Sequence, residues 1–299
     1  MISGGMLRRR SEVLQEVRNY FVAHDFLEVD TPILLPSLAP EPWIEPIEAG
    51  DRFLQTSPEL CMKRLIAAGE KRIYQICRCF RQGERGRRHL PEFLMIEWYR
   101  ADADYRDLMK DCEGLLRAVA GTCSGGLLTR HGSRISLERP WPRITVAEAF
   151  SRYAGITPET ALTEGCFEEV LVEQVESNLG FETPVFLIDY PGALASLSRL
   201  KKNAPGVAER FELYAGGLEI ANGFSELIDP VEQRHRFEGA LAEIRQDGRR
   251  PGPMPESFLK SLPTMPETAG IALGLDRLIM LVTGVDEIDG VVPFVPEEL

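Results

Sequence analysis

A strand, a basic loop and a second strand span residues 72–99 and carry the side chains best suited to chemistry. Because successive side chains on a strand point to opposite faces, pairing of 72–81 with 93–99 places Arg81, Glu97 and Tyr99 on one face. The opposite face is mostly apolar and suits a core. The loop carries cations suited to phosphate oxygens, namely Arg85, Arg87, Arg88 and His89. The segment predicts an anionic nucleotide bound beside an amine-bearing small molecule.

Carboxylates are concentrated in a second predicted hairpin, residues 209–226. Its Gly216-Gly217 pair supplies a turn that requires positive φ. Glu212 and Glu219 can meet across this hairpin. Two acidic groups that face a polyphosphate normally share a divalent cation, so the pair predicts a metal site.

Strand alternation divides the candidate pocket residues of this hairpin between two faces. Asn222, Phe224 and Glu226 share parity, whereas Glu219 falls on the other face. If all four serve one pocket, the strand needs a β-bulge, which we expect near Gly223.

Residues 270–284 predict a strand followed by a helix that begins near Leu275 and ends at Gly284. Gly270 and Gly274 allow close approach of a ligand to the strand. Arg277 lies in the first helical turn, where a cation opposes the helix dipole. An anion in front of Arg277 explains this placement, and pairing of Asp276 with Arg277 or with a neighbour is the alternative.

The remaining pattern predicts elements that hold these segments. Helices are expected at 7–24, 58–68 and 105–119, and a short strand at 26–30. Residues 121–142 contain a weak strand, and the segment up to 179 is mainly helical. The antiparallel hairpins together with these helices predict an α+β fold.

Composition limits the possible function and location. The formal net charge of −12 over 299 residues weakens any case for broad binding of nucleic-acid phosphates. Six cysteines without a Cys-x-x-Cys pair or a nearby histidine predict reduced core thiols. The chain shows neither a signal-peptide h-region nor an apolar run near the ~18 residues of a membrane span, so we expect a cytoplasmic protein without membrane contact.

Together, the three segments resemble the signature motifs of class II aminoacyl-tRNA synthetases. Motif 1 matches the first helix and the strand ending at Pro32, motif 2 the Arg81 hairpin, and motif 3 residues 270–277. Residues 56–65 and 219–226 are most similar to lysyl-tRNA synthetase. The resemblance covers nearly the whole chain. It implies an antiparallel β-sheet flanked by helices, a single catalytic domain over 1–299 and a homodimer joined through motif 1.

One difference separates the chain from lysyl-tRNA synthetases, which carry an N-terminal anticodon-binding OB barrel ahead of motif 1. Here motif 1 begins within the first ten residues, so we expect no N-terminal anticodon-binding OB domain of five strands. The chain is therefore similar to truncated paralogues that modify translation elongation factor P, the elongation factor P (R)-β-lysine ligase family. Trp98 and Ala272 also resemble that family, whereas synthetases for ordinary lysine tend to keep glycine at the second position.

This resemblance implies an ATP-dependent ligase that uses Mg²⁺. The carboxylate of (R)-β-lysine or lysine attacks the α-phosphate of ATP and forms an adenylate. A lysine amine of elongation factor P then attacks the adenylate and forms an amide. Transfer RNA is not expected as the acceptor.

The motif positions also imply which residues serve each role. Arg81 and Arg277 are expected to be catalytic, at the α-phosphate and the distal phosphates respectively. The ATP site is expected at Arg81, Gln82, Gly83, His89, Leu90, Phe93, Glu212, Glu219, Ile220, Gly274 and Arg277, with Glu212 and Glu219 as metal ligands. The substrate site is expected at Ser57, Glu59, Glu97, Tyr99, Asn222, Phe224, Glu226 and Ala272. Glu59 is expected to bind the backbone-type amine, while the terminal ammonium lies among Glu97, Tyr99, Asn222 and Glu226.

Two positions depart from the synthetase pattern. Gly83 stands where a glutamate is common, and Leu90 replaces an asparagine, so we expect weaker binding of ATP. The alternatives are a freestanding lysine ligase for tRNA or another amine acceptor, and an inactive paralogue that senses an amino acid. The joint presence of Arg81, Glu212, Glu219 and Arg277 favours an active enzyme.

Overall fold

The computed structural model describes residues 1–299. Its helices are α1 (Gly4–Ala23), α2 (Glu59–Ala67), α3 (Tyr105–Ser124), α4 (Val146–Tyr153), α5 (Pro158–Thr163), α6 (Phe167–Val170), α7 (Pro230–Gln246), α8 (Glu256–Leu259) and α9 (Leu275–Thr283). Its strands are β1 (Leu27–Glu28), β2 (Leu34–Leu35), β3 (Glu48–Ala49), β4 (Arg52–Leu54), β5 (Arg72–Phe80), β6 (Glu92–Ala101), β7 (Leu127–Arg130), β8 (Ser133–Ser136), β9 (Arg143–Thr145), β10 (Val185–Ile188), β11 (Leu200–Lys201), β12 (Ala204–Ala208), β13 (Arg210–Ala215), β14 (Leu218–Ser225) and β15 (Thr268–Gly274). None of the helices combines the length and apolar composition needed to cross a bilayer.

Eight strands form one large sheet in the order β1-β5-β6-β15-β14-β13-β10-β9. The strands from β5 to β10 in this order pair antiparallel with their neighbours. At the two edges, β1 is parallel to β5 and β9 is parallel to β10. The predicted α+β fold with an antiparallel sheet flanked by helices is confirmed, and the parallel edge strands make the sheet mixed.

The helices α1, α3 and α9 bury their apolar faces against one side of this sheet. Phe21 of α1 stacks on Tyr74 of β5 with ring centroids 4.7 Å apart, and the neighbouring Trp98 is fully buried. The even-numbered residues of the predicted 72–81 strand therefore face the core, as strand alternation indicated. On the other side, α2, α7 and α8 pack through Ile66, Phe237 and Phe258.

The predicted helices at 7–24, 58–68 and 105–119 correspond to α1, α2 and α3. Helix α1 begins at Gly4 because the Ser3 hydroxyl caps it by accepting a hydrogen bond from the Met6 amide. The weak strand expected within 121–142 is the β7–β8 hairpin, and α4 to α6 occupy the following region. The cysteines are free thiols, and three of them are buried, as expected.

Both predicted hairpins form. Strands β5 and β6 pair with Gln75 opposite Glu97, and β13 and β14 join through Gly216 and Gly217 at φ values of 61° and 67°. Only residues that tolerate positive φ suit both positions of such a turn.

The β-bulge in β14 lies at Ile220, so its expected position near Gly223 is wrong. Leu213 pairs with Ala221 and Tyr214 with Glu219, which leaves Ile220 as the extra residue. Glycine at 223 instead permits close packing, since a Cβ there would lie 2.8 Å from ring atoms of Phe211. The bulge changes the parity of the strand, as the pocket hypothesis required.

Candidate active site

A cavity of about 780 Å³ opens on the side of the sheet covered by α2 and α7. Its floor is formed by residues of β6, β13, β14 and β15, and its walls by the starts of α2 and α9 and by residues 40–44. Because of the bulge at Ile220, Glu219, Asn222 and Phe224 all line this one cavity.

One end of the cavity gathers buried carboxylates. Glu97 is 1% exposed, and it accepts hydrogen bonds from the Ser57 hydroxyl at 2.6 Å and from the Tyr99 hydroxyl at 2.8 Å. Burial, reinforced by the charge of Glu59, raises the pKa of Glu97 to about 7. This carboxylate is therefore poised to ionise when a cation enters.

Lys63 lies between two of these carboxylates. Its Nζ is 2.9 Å from Glu59 Oε2, one helical turn away on α2, and 2.7 Å from Oε2 of Glu226, the residue that follows β14. The Lys63 side chain is 1% exposed. Its position was missed in the sequence, although the spacing of Glu59 and Lys63 by four residues was a local signal.

Glu226 keeps an unused acceptor in spite of this ion pair. Its Oε1 is buried and has no hydrogen-bond partner. Burial raises the pKa of Glu226, and Glu59 and Glu97 add to that effect while Lys63 opposes it. A buried acceptor without a donor is costly, so this oxygen suits a ligand ammonium.

The other end of the cavity is cationic. Arg277 donates to the Glu219 carbonyl at 2.8 Å, to Glu219 Oε2 at 3.0 Å and to His89 Nε2 at 2.6 Å. Burial and the charge of Arg277 lower the pKa of His89, which keeps its Nε2 available as an acceptor. Arg88 donates to the Gly217 carbonyl at 3.0 Å.

Asp276 supports this end without neutralising Arg277. Its carboxylate accepts from Arg10 of α1 at 2.6 Å and from the Leu94 amide at 2.7 Å. The alternative that Asp276 pairs with Arg277 is therefore wrong, whereas its pairing with another neighbour holds. The ion pair fixes the start of α9 to α1 and β6.

Arg81 lies between the two ends. Its guanidinium is 5.1 Å from the centre of the Phe93 ring, and its nearest carboxylate, Glu84, is 3.6 Å away. Its Nε is buried without a hydrogen-bond partner. An anion in the cavity would supply the missing acceptor.

Glu212 and Glu219 line the same cavity but are not opposite each other in the hairpin, since Glu212 pairs with Asn222. Glu212 accepts from Arg210 and from the Tyr214 hydroxyl, each at 2.6 Å. Burial raises the pKa of Glu219, but the charge of Arg277 and its hydrogen bond outweigh this and lower it overall. No group of three or more potential metal-binding side chains is present. Two carboxylates fit a cation that keeps water and phosphate ligands.

Comparison with known proteins agrees with this arrangement. The model of the family "tRNA synthetases class II (D, K and N)" matches residues 3–298. The chain belongs to this family. It is 36% identical to an elongation factor P (R)-β-lysine ligase of Vibrio atlanticus over 96% of this chain and 94% of that protein. It is 35% identical to the ligase of the same name from Photobacterium profundum, with the same coverage.

A lysine–tRNA ligase of Dehalococcoides mccartyi is 38% identical over 95% of this chain. The chain spans 63% of the length of that tRNA ligase. The predicted resemblance to class II synthetases and to this ligase family is confirmed.

Most of the residues expected from the synthetase motifs meet in the cavity. It is lined by Ser57, Glu59, Arg81, His89, Leu90, Phe93, Glu97, Tyr99, Glu212, Glu219, Ile220, Asn222, Phe224, Ala272, Gly274 and Arg277. Glu226 joins this group through Lys63 rather than through the cavity wall. Leu90 is 3% exposed and packs into the main core, so this position serves the core as well as the cavity.

Several motif 2 residues lie elsewhere. Gln82 donates to Glu45 at 3.2 Å, and Gly83, at a φ of 75°, forms the turn beside it, so neither lines the cavity. Arg85 pairs with Asp289 and Glu297, and Arg87 pairs with Glu287. The expectation that all the loop cations bind phosphate is therefore wrong for Arg85 and Arg87. Their carboxylate partners lie in the C-terminal segment, and the loop sequence alone does not reveal them. Only Arg88 and His89 of that group reach the cavity.

Proposed function

We propose that the chain is an ATP-dependent ligase that activates (R)-β-lysine, or lysine, as an adenylate and transfers it to a lysine side chain of elongation factor P. The observation that carries this proposal is a single cavity with Arg277 and Arg88 at its cationic end, buried carboxylates at the other end and Arg81 between them. The two ligases of this name, matched over 94% of their length, support the choice of acceptor.

The charges at the carboxylate end of the cavity fit a substrate with two ammonium groups. Glu59, Glu97 and Glu226 carry three negative charges when ionised, and Lys63 neutralises one of them. The negative charge that remains attracts ammonium groups, which are stable in a desolvated site only when paired. Ala272 lies beside Glu97 and Asn222 in the sheet, so its methyl group limits the space around such a substrate.

In the first step, a carboxylate oxygen of the amino acid attacks the α-phosphorus of ATP. The bond from this phosphorus to the bridging oxygen breaks, and pyrophosphate leaves with the electron pair. Arg81 holds the carboxylate against the α-phosphate, and Arg277 and Arg88 hold the distal phosphates. Catalysis then depends on positioning and on stabilising negative charge.

Glu212 and Glu219 would hold Mg²⁺, which supplies charge neutralisation for the polyphosphate when bound. Arg210 and Tyr214 fix the Glu212 carboxylate, and Arg277 fixes that of Glu219. These contacts orient both carboxylates toward the cavity.

In the second step, the neutral amine of the acceptor lysine attacks the acyl carbon of the adenylate. The acyl–oxygen bond breaks, AMP leaves, and the attacking nitrogen loses one proton as the amide forms. We infer that this takes place in the cytoplasm, within one catalytic domain over 1–299. We also infer a homodimer that covers the exposed apolar residues Val22, Leu27 and Leu34 beside α1.

The second candidate acceptor is tRNA, favoured by the 38% identity to lysine–tRNA ligases. The test is transfer of (R)-β-lysine and of (S)-α-lysine to purified elongation factor P, followed by intact mass, with an unfractionated tRNA control. We expect modified protein, preference for the β-isomer and uncharged tRNA. Charged tRNA with unmodified protein would instead identify the second candidate.

Binding of the amino acid should release protons at mildly acidic pH. Burial raises the pKa of Glu97 to about 7 and that of Glu226 to about 8, so both carboxyl groups are largely protonated at pH 6. An ammonium substrate favours the ionised carboxylates, and each proton released changes affinity by about tenfold per pH unit. The dissociation constant should therefore rise as pH falls from 8 to 6.

Calorimetry in buffers of different ionisation enthalpy measures this release directly. About one to two protons should leave per bound amino acid at pH 6.5, and far fewer at pH 8.5. Equal proton release at both pH values would show that these carboxylates do not titrate with binding.

A further inference from the structure

The loop between β2 and β3 brings an acidic residue into the cavity that none of the motifs includes. Pro40, Glu41, Pro42, Trp43 and Ile44 line the cavity wall. The prolines on either side of Glu41 fix their own φ angles and restrict the residues before them. Glu41 is therefore carried by a stiff part of the loop.

Among the buried and half-buried acids that line the cavity, Glu41 has a carboxylate without a hydrogen bond or ion pair. Glu59 and Glu226 pair with Lys63, Glu212 with Arg210, and Glu219 with Arg277. Glu97 accepts from two hydroxyl groups. Glu168 and Glu243 also line the cavity, but they are exposed to solvent, whereas Glu41 is half-buried.

The surroundings of Glu41 locate it within the cavity. Burial and the charge of Glu59 raise the pKa of Glu41 to about 7. The cations Arg81, Lys63 and Arg210 oppose this shift but do not cancel it. Glu41 lines the same cavity as Arg81, which is expected to hold the reacting carboxylate, and Glu59, which is expected to hold an amine. A partly buried carboxylate there needs a cation, and Lys63 already neutralises the neighbouring Glu59.

We propose that Glu41 binds the substrate ammonium nearest to the reacting carboxylate and is a specificity residue for that amine. The inference rests on the proposed activation of lysine or β-lysine. A charge-assisted hydrogen bond from this ammonium supplies the partner that Glu41 lacks, while Glu97 and Glu226 serve the distal ammonium.

The test compares (R)-β-lysine with 6-aminohexanoate, which keeps the distal ammonium and lacks the proximal one. Amino acid-dependent pyrophosphate exchange gives KM for (R)-β-lysine, and inhibition of that exchange gives Ki for 6-aminohexanoate. We expect Glu41→Gln to raise KM by about 10- to 100-fold and to change Ki by less than about threefold. Glu41→Asp should recover part of the affinity for (R)-β-lysine.

Glu45→Gln is the matched control because Glu45 lies on the same loop, carries the same charge and is outside the cavity. It should leave both constants within about twofold. Equal effects of Glu41→Gln on KM and Ki, or no effect on either, would overturn the inference while leaving the function intact. Absence of exchange with every lysine isomer in the unmodified enzyme would overturn the proposed function and this inference with it.

Discussion

Replacement of Lys63 by methionine is expected to lower the free energy of unfolding by about 3–5 kcal/mol at pH 8. The side chain is 1% exposed, and its removal leaves Glu59 and Glu226 buried beside each other without their shared cation. Methionine keeps most of the volume, so the loss reports the charge rather than a cavity. Urea unfolding of the purified variant measures the effect.

The pH dependence separates this electrostatic cause from a packing defect. Burial already raises the pKa of Glu226, and loss of Lys63 would raise it further. A carboxylate with a raised folded-state pKa stabilises the fold at low pH and loses that contribution as pH rises through the folded pKa. The destabilisation should therefore be smaller at pH 5 than at pH 8.

Lys71→Met is the matched control. Lys71 is 69% exposed and pairs with the equally exposed Asp102 at 3.2 Å. Exposed ion pairs contribute roughly 0–1 kcal/mol, so this variant should unfold almost like the unmodified protein. Equal losses for the two variants, or a loss for Lys63→Met that does not change with pH, would contradict the assigned role of Lys63.

Local patterns were sufficient to predict the elements that carry the site. Alternation in 72–81 and 93–99 identified β5 and β6 and the face shared by Glu97 and Tyr99. Gly216 and Gly217 identified a turn at positive φ, and Gly284, at a φ of 71°, identified the end of α9. These signals are reliable because they act within a few residues.

Such local patterns do not predict which distant parts of the chain contact each other. The parallel pairing of β1 with β5 and of β9 with β10 depends on packing of the whole sheet. Lys63 and Glu226 are far apart in sequence, as are Arg85 and Asp289. The sequence therefore indicated a basic loop and several acids but not which charges neutralise each other.

The bulge in β14 determines which side chains of that strand face the cavity. Without the extra residue at Ile220, alternation would place Glu219 on the side opposite Asn222 and Phe224. A single pocket requires this change of parity, but no residue pattern in 218–226 identifies its position. Glycine at 223 favours a bulge there because glycine often marks bulges in strands. In the structure, its lack of a side chain instead makes room for the Phe211 ring.

Replacement of Arg81 by alanine is expected to lower kcat/KM for adenylate formation by about 10²- to 10³-fold, the cost of removing one donor aimed at developing negative charge. Arg81 makes one long ion pair, with Glu84 at 3.6 Å, and its Nε lacks an acceptor. The guanidinium is therefore held by its contact with Phe93 and is free to bind a carboxylate and a phosphate together. Pyrophosphate exchange with (R)-β-lysine measures the loss.

Two further variants distinguish a specific role of Arg81 from an effect of the loop's total positive charge. Arg81→Lys keeps the charge but not the planar fork, so activity should recover only in part. Arg85→Ala removes a cation from the same loop that pairs with Asp289 and Glu297 outside the cavity, and it should change kcat/KM by less than about threefold. Unfolding of Arg81→Ala should be nearly unchanged because the side chain makes few stabilising contacts. If Arg81→Ala and Arg85→Ala lose activity equally, the loop acts through its total charge and the specific role of Arg81 is wrong.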